Sequence, residues 1–314
     1  MMFLADAEHF VRAPEWTWYI LFYFFLAGLS GGSYFIATLL RLYGTRSDEP
    51  AARLGYYVAF PTLVVCPILL SLDLTKPLRF WHMLWNTTPG DEGPTFKYWS
   101  PMSVGAWALL VFGVFVTVSF LEVLVRDRVI RMAFIDRAVR LLEGTPGKLW
   151  NVAGAVLGLF IAGYTGVLLS VSNQPVWSDT WALGGLFLAS GLCGSAALLS
   201  WLARYRSDAW ASTGVLIRCE RLFALLELAL IVVFALTLIA PGTLGEVFGF
   251  PWILLWLVAF AGLVPEISGL ATPGLSVSAE GAVATQAVRV AVAAPWLVLL
   301  GVLALRTVVI FSVQ

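Results

Sequence analysis

The 314-residue sequence carries 19 basic and 19 acidic side chains, so its net charge is zero; it is 60% hydrophobic and only 12% charged. With a mean hydropathy of +0.88, it lies far outside the range of soluble domains and reads as an all-α polytopic membrane protein in a lipid bilayer. Its basic residues sit beside apolar runs and give no net positive field, so nucleic-acid binding has no support.

A hydrocarbon core about 30 Å thick takes about 20 apolar residues per helix. The chain supplies eight such runs, near 17–43, 53–72, 101–125, 148–173, 180–203, 213–240, 247–272 and 286–312. The polar start, with Asp6, Glu8 and Arg12, lacks the basic opening of a cleavable signal sequence. The longest connection is about 28 residues, so no separate soluble domain is expected. Span one holds Tyr19, Tyr23 and LAGLSGGS (Leu26 to Ser33). Span two ends in LSLDLTKPLRFWHMLWN, which gathers Asp73, Lys76, Arg79 and His82 among Trp81 and Trp85. Charge interleaved with tryptophan at a membrane boundary marks a surface for headgroups, an amphipathic ligand or a partner.

Basic residues in short loops are retained in the cytoplasm. Arg41, Arg46 and Arg53 lie in loop one; Arg126, Arg128, Arg131, Arg137, Arg140 and Lys148 in loop three; Arg204 and Arg206 in loop five. The other side has Arg12, Lys76, Arg79 and Lys97, which puts both termini and the Asp73 to Ser100 loop outside. Span five repeats span one's signature as LASGLCGS (Leu188 to Ser195). An echo four helices later suggests two four-helix halves, 1–175 and 176–314, arising by duplication. The small residues Gly28, Gly31, Gly32, Gly191 and Gly194 suit close helix packing.

A membrane cytochrome b holds haem between buried imidazoles. The only histidines are His9 and His82, both outside the runs, so no haem site is expected. Cys66, Cys193 and Cys219 lack the spacing of an iron–sulfur or zinc site, and read as apolar filler with no metal. Polar residues inside the spans fall into two groups. The outer one is Tyr19, Tyr23, Asp73 and Tyr164, which suits the two carbonyls of a quinone in an apolar pocket. It reads equally as an aromatic belt with Asp73 paired to Lys76 or Arg79. The inner one is Arg218, Glu220, Arg221, Glu227, Glu266 and Arg289, a structural ion network or a proton route centred on Glu220, Glu227 and Arg221.

LAGLSGG, LDLTKPLRFWHMLW, SPMSVGAW and AGYTGVLLSVSNQPVW together resemble the membrane subunit of polysulfide reductase and its relatives, the NrfD-like family, over about the first 180 residues. The resemblance implies eight helices in two bundles, no haem, and a menaquinone or ubiquinone site near the outer face of the bacterial or archaeal cytoplasmic membrane. It also implies an extrinsic four-cluster ferredoxin-like iron–sulfur subunit and a molybdopterin catalytic subunit as partners. By position, Tyr164 matches the family's quinone-contacting tyrosine. The early polar pair of some members falls near Ile20 and Tyr23, so that half of the site is altered. Asp73, Arg79, Trp81 and His82 match the outer mouth where the cluster subunit docks.

The expected chemistry is a two-electron, two-proton quinone–quinol exchange. Tyr164 donates to one carbonyl and Tyr23 or Tyr19 lies at the other side of the ring. Asp73 or His82 exchanges protons, and Arg79 orients the partner or a headgroup. The rival readings are a secondary transporter, for which inverted repeats and broken helices would be expected, and a purely structural membrane anchor.

Overall fold

A computed structural model of the chain describes residues 14–130, 144–268 and 281–314, with side chains from 293 onward in the last segment. His9, Arg12, Arg131, Arg137 and Arg140 and the side chain of Arg289 lie outside the described residues. The helices are α1 (Trp18–Tyr43), α2 (Glu49–Asp73), α3 (Pro101–Arg126), α4 (Thr145–Ser170), α5 (Leu183–Arg204), α6 (Thr213–Thr237), the short α7 (Leu244–Phe248), α8 (Ile253–Ser268) and α9 (Gly281–Phe311). The strand pairing among the described residues is one two-residue ladder, Trp85–Asn86 against Gly93–Pro94.

The boundaries follow from local chemistry. Thr17 caps α1 by accepting from the Tyr19 amide, and Ser100 caps α3 by accepting from Ser103, with Pro101 at the first helical position. Pro61 and Pro67 inside α2 each remove a backbone donor. The flanking hydroxyls of Thr62 and Ser71 bond to Val58 and Pro67 carbonyls at 2.7 Å. Among the described residues six helices, α1 to α5 and the 293–311 part of α9, are long and apolar enough to cross a membrane. The other two expected spans differ for physical reasons. In α6 the apolar run is broken by Arg218, Glu220, Arg221 and Glu227, and α8 has only 16 residues, about 24 Å of rise.

The helices close two rings in the same order. α1 packs on α2 and α4, and α3 on both of those; α5 packs on α6 and α9, and α8 on both of those. The rings meet where α1 and α4 lie against α5. The echoing segments are themselves this seam. A Cβ on Gly191 would sit 3.1 Å from the Gly28 Cα, and one on Gly32 would meet the Ser195 hydroxyl at 2.4 Å. The constant offset between partners means that α1 and α5 run parallel. Here the small residues are needed because the backbones approach too closely for any side chain.

Hydrogen bonds define the two ends of the molecule. At the Asp73 end, Thr17 donates to Asp73 (3.0 Å), the buried Trp177 indole to the Val309 carbonyl (2.6 Å) and Thr237 to Thr180 (2.6 Å). At the Arg41 end, Ser212 donates to Asp48 (2.7 Å) and Tyr57 to Asp127 (2.9 Å). Arg41, Arg46, Arg53, Arg126, Arg128, Lys148, Arg204, Arg206 and Arg218 cluster toward this second end.

Candidate functional site

The outer group splits. Tyr23 is buried on α1, and its hydroxyl has no hydrogen-bond partner among the described residues. The Cys66 thiol of α2 points at the Tyr23 carbonyl (3.9 Å), and Tyr164 of α4 lies within electrostatic range of the Tyr23 phenol. α4 ends at Ser170, earlier than the run to 173 suggests. Tyr164 is therefore about 9 Å from its helix end and Tyr23 about 7.5 Å from its own, at matching depths. The Tyr164 hydroxyl donates to the Pro101 carbonyl at 2.5 Å, and its ring stacks on Phe160 at 5.6 Å. Gly105 of α3 makes room for it, since a Cβ there would meet the Tyr164 hydroxyl at 2.3 Å.

The Tyr19 ring lies tilted against Trp18 (4.1 Å), a half-exposed ring at the helix start, and is not joined to the Tyr23–Tyr164 pair by any hydrogen bond. Ile20 is buried. Asp73 accepts from Thr17 rather than pairing with Lys76 or Arg79, so its carboxylate ties the start of α1 to the end of α2. Arg79, Trp81 and His82 are exposed on the 3-10 helix Pro77–Met83. The loop carrying them is pinned by the Trp107 indole donating to Thr95 (2.8 Å) and leaves Leu78, Phe80, Trp85, Phe96, Tyr98 and Trp99 exposed.

The second group builds a polar column within the second ring. Glu220 and Glu227 share the buried face of α6. Glu220 accepts from Ser200 of α5 (3.1 Å), and its carboxyl faces that of Glu266 on α8, with Arg204 in electrostatic range of both. Glu227 lies beside the Cys193 thiol and in range of the fully buried Arg306 of α9. Arg306 donates to Ser190 (2.8 Å) and the Phe187 carbonyl (3.1 Å), and its guanidinium stands 5.0 Å from the Phe187 ring. Arg221 is exposed on the other side of α6, away from both glutamates. Arg306 was not singled out by sequence, and Cys193, read as filler, is buried in the apolar core beside Glu227.

A third cluster also escaped the sequence reading. Glu122, buried on α3, accepts from Arg41 (2.8 Å) and Arg126 (2.7 Å). Glu49 accepts from Arg41 (3.1 Å), and Asp127 pairs with Arg53 (2.5 Å). Arg41 also lies over the Tyr56 ring at 4.7 Å. Above it, Tyr34 bonds Ser119 (2.8 Å) and Thr38 donates to the Tyr34 carbonyl (3.0 Å). Among the described residues no group of three or more His, Cys, Asp or Glu side chains is arranged to hold a metal.

The chain is 24% identical over 280 residues to a selenate reductase subunit of Mesobacillus selenatarsenatis, covering 77% of this chain and 63% of that one. It is 25% identical over 216 residues to protein NrfD of Escherichia coli K12, covering 65% and 64%. With a polysulfide reductase chain of Wolinella succinogenes it shares 29% over 182 residues, covering 56% and 54%. The matched region thus spans somewhat over half the length of each relative. A family profile described as polysulphide reductase, NrfD, matches residues 7–314, nearly the whole chain. This multi-pass, all-α membrane protein belongs to the NrfD family.

Proposed function

We propose that this chain is the quinone-binding membrane subunit of a multi-subunit oxidoreductase, exchanging electrons between the quinone pool and an extrinsic iron–sulfur subunit. The observation that carries the reading is the convergence of Tyr23 and Tyr164 from α1 and α4, with the Tyr23 hydroxyl bonded to no described residue. A phenol hydroxyl without a bond inside the protein is free to donate, and a ligand carbonyl is a fitting acceptor. The names of two relatives, one belonging to a polysulfide reductase and the other to a selenate reductase, support assignment to a reductase complex; a molybdopterin catalytic subunit as partner rests on the family resemblance.

Menaquinone or ubiquinone supplies two-electron, two-proton chemistry when bound. The residues around it act by binding and proton handling. Tyr23 offers its free hydroxyl. Tyr164, held by the Pro101 carbonyl, donates by turning from that bond. Asp73, at the membrane boundary, and His82, exposed beyond it, relay protons to water. Arg79, Trp81 and His82 form the docking face for the cluster subunit. The eight helices form two four-helix halves, 1–175 and 176–314, with both termini and the functional face outside the cytoplasmic membrane. The basic clustering at the Arg41 end supports that orientation. Glu220 and Glu227, with Glu266, form a buried carboxyl column suited to a proton route.

The test is saturable quenching of tryptophan fluorescence in the purified full chain by a quinone-site inhibitor. The reading expects wild-type quenching that weakens in Tyr164→Phe and Asp73→Asn. Absence of saturable quenching in folded protein contradicts it and leaves the structural anchor. Solute uptake into proteoliposomes without a partner points to the transporter.

A further inference from the structure

We propose that the cavity at the Arg41 end of the first ring is a binding site for a phosphate group, supplied by the headgroup of an anionic glycerophospholipid. Two adjoining cavities of about 420 and 170 Å³ open there and share Arg41 and Arg126 in their walls. Arg46 lines the larger one with Glu49; Lys148 lines the smaller one with Glu122 and Asn151. Both carboxylates are taken by Arg41 and Arg126, while Arg46 and Lys148 have no carboxylate partner among the described residues. The walls therefore carry a net of two positive charges that no described carboxylate neutralises.

A second observation is independent of charge. Asn151 is only 5% exposed, yet its side-chain oxygen has no hydrogen-bond partner, and neither does the buried Nε of Arg41. Both residues line the smaller cavity. Buried polar atoms are rarely left unmatched. A phosphate in the cavity meets the Arg41 and Arg126 guanidinium groups that line it, and a hydroxyl of the headgroup glycerol is the donor that Asn151 lacks. Basic pockets between membrane helices are suited to anionic headgroups. The lipid source is favoured by α4 itself, where Leu149, Val152, Val156 and Phe160 are exposed in one apolar lane beside Lys148, a surface for the acyl chains.

The experiment is native mass spectrometry of the full chain in detergent, titrated with phosphatidylglycerol or phosphatidylcholine, with and without millimolar inorganic phosphate. The double variant Arg46→Gln/Lys148→Gln removes the two unpartnered cations and leaves the Glu122 network intact. Arg218→Gln, an exposed cation at the same end of the molecule, controls for general surface charge. The expected result is preferential phosphatidylglycerol binding that falls about thirtyfold in the double variant and is kept in Arg218→Gln. Displacement by inorganic phosphate overturns the lipid source and assigns the site to soluble phosphate. Equal binding of both lipids, or equal loss in Arg218→Gln, overturns the site.

Discussion

Gly105→Ala perturbs the site without replacing any residue proposed to do chemistry. The new Cβ would lie 2.3 Å from the Tyr164 hydroxyl and Cζ and 2.4 Å from Cε1, against a carbon contact distance of about 3.5–4.0 Å. The ring must therefore retreat by about 1 Å or more, and in doing so it gives up its 2.5 Å bond to Pro101. Overpacking costs about 1–3 kcal/mol and the lost hydrogen bond about 1 kcal/mol. Replacing glycine within α3 returns about 1 kcal/mol of helix propensity, so the net stability change is modest. Function is hit harder, because a misplacement of about 1 Å at a reacting centre can cost about a hundredfold. Gly113→Ala, in the same helix with open space around it, is the matched control. Quinol-linked turnover of the assembled complex should drop at least about tenfold in Gly105→Ala and stay at the wild-type level in Gly113→Ala. Equal turnover in the two variants would refute a working role for Tyr164's position.

Glu122→Ala should lower stability by about 3 kcal/mol, because it strips Arg41 of its closest carboxylate in a mostly buried setting; thermal unfolding in detergent measures it, and a change as small as that of a surface pair would contradict the network. Gly31→Ala places a Cβ 2.1 Å from the Gly158 carbonyl oxygen. That drives α1 from α4, and the yield of monodisperse protein on gel filtration should collapse. In the loop between α5 and α6, hydrogen bonding to Arg206 holds the Asp208 carboxyl below its usual range. A depressed folded-state pKa gives stability that is present above the unfolded value near 4 and lost as pH falls through the folded one. Unfolding midpoints of wild type and Asp208→Asn should differ slightly at pH 7, by less than about 1 kcal/mol for so exposed a pair, and converge in acid. A gap that stays constant down to about pH 3 tells against the pair.

Most helices were legible because runs of about 20 apolar residues announce themselves, whereas the caps Thr17 and Ser100 emerge only in the structure. The small-residue echo was legible as packing, and its segments meet at the seam between the two rings. What escaped depends on proximity between residues far apart in sequence. Glu122 sits inside an apolar run 81 residues from Arg41, and no local pattern links them. Arg306 was not singled out in the last apolar run, yet it is the cation in range of Glu227. Arg221 was the nearest cation in sequence, but one residue along a helix turns the side chain by about 100°, which carries it off the Glu220 and Glu227 face. In the outer group, Tyr23 and Tyr164 were grouped from the sequence, whereas the Thr17 to Asp73 bond joins two helix ends 56 residues apart.

The most direct test of quinone chemistry at this site is steady-state quinol-linked turnover of the assembled complex carrying Tyr164→Phe. The phenyl ring keeps the stacking on Phe160 and loses only the bond to a carbonyl in the first turn of α3, about 1 kcal/mol of stability, so assembly should be unchanged. The account predicts at least about a tenfold fall in turnover, within reach of the rate that a positioned proton donor contributes. Wild-type turnover in a fully assembled Tyr164→Phe complex would contradict it.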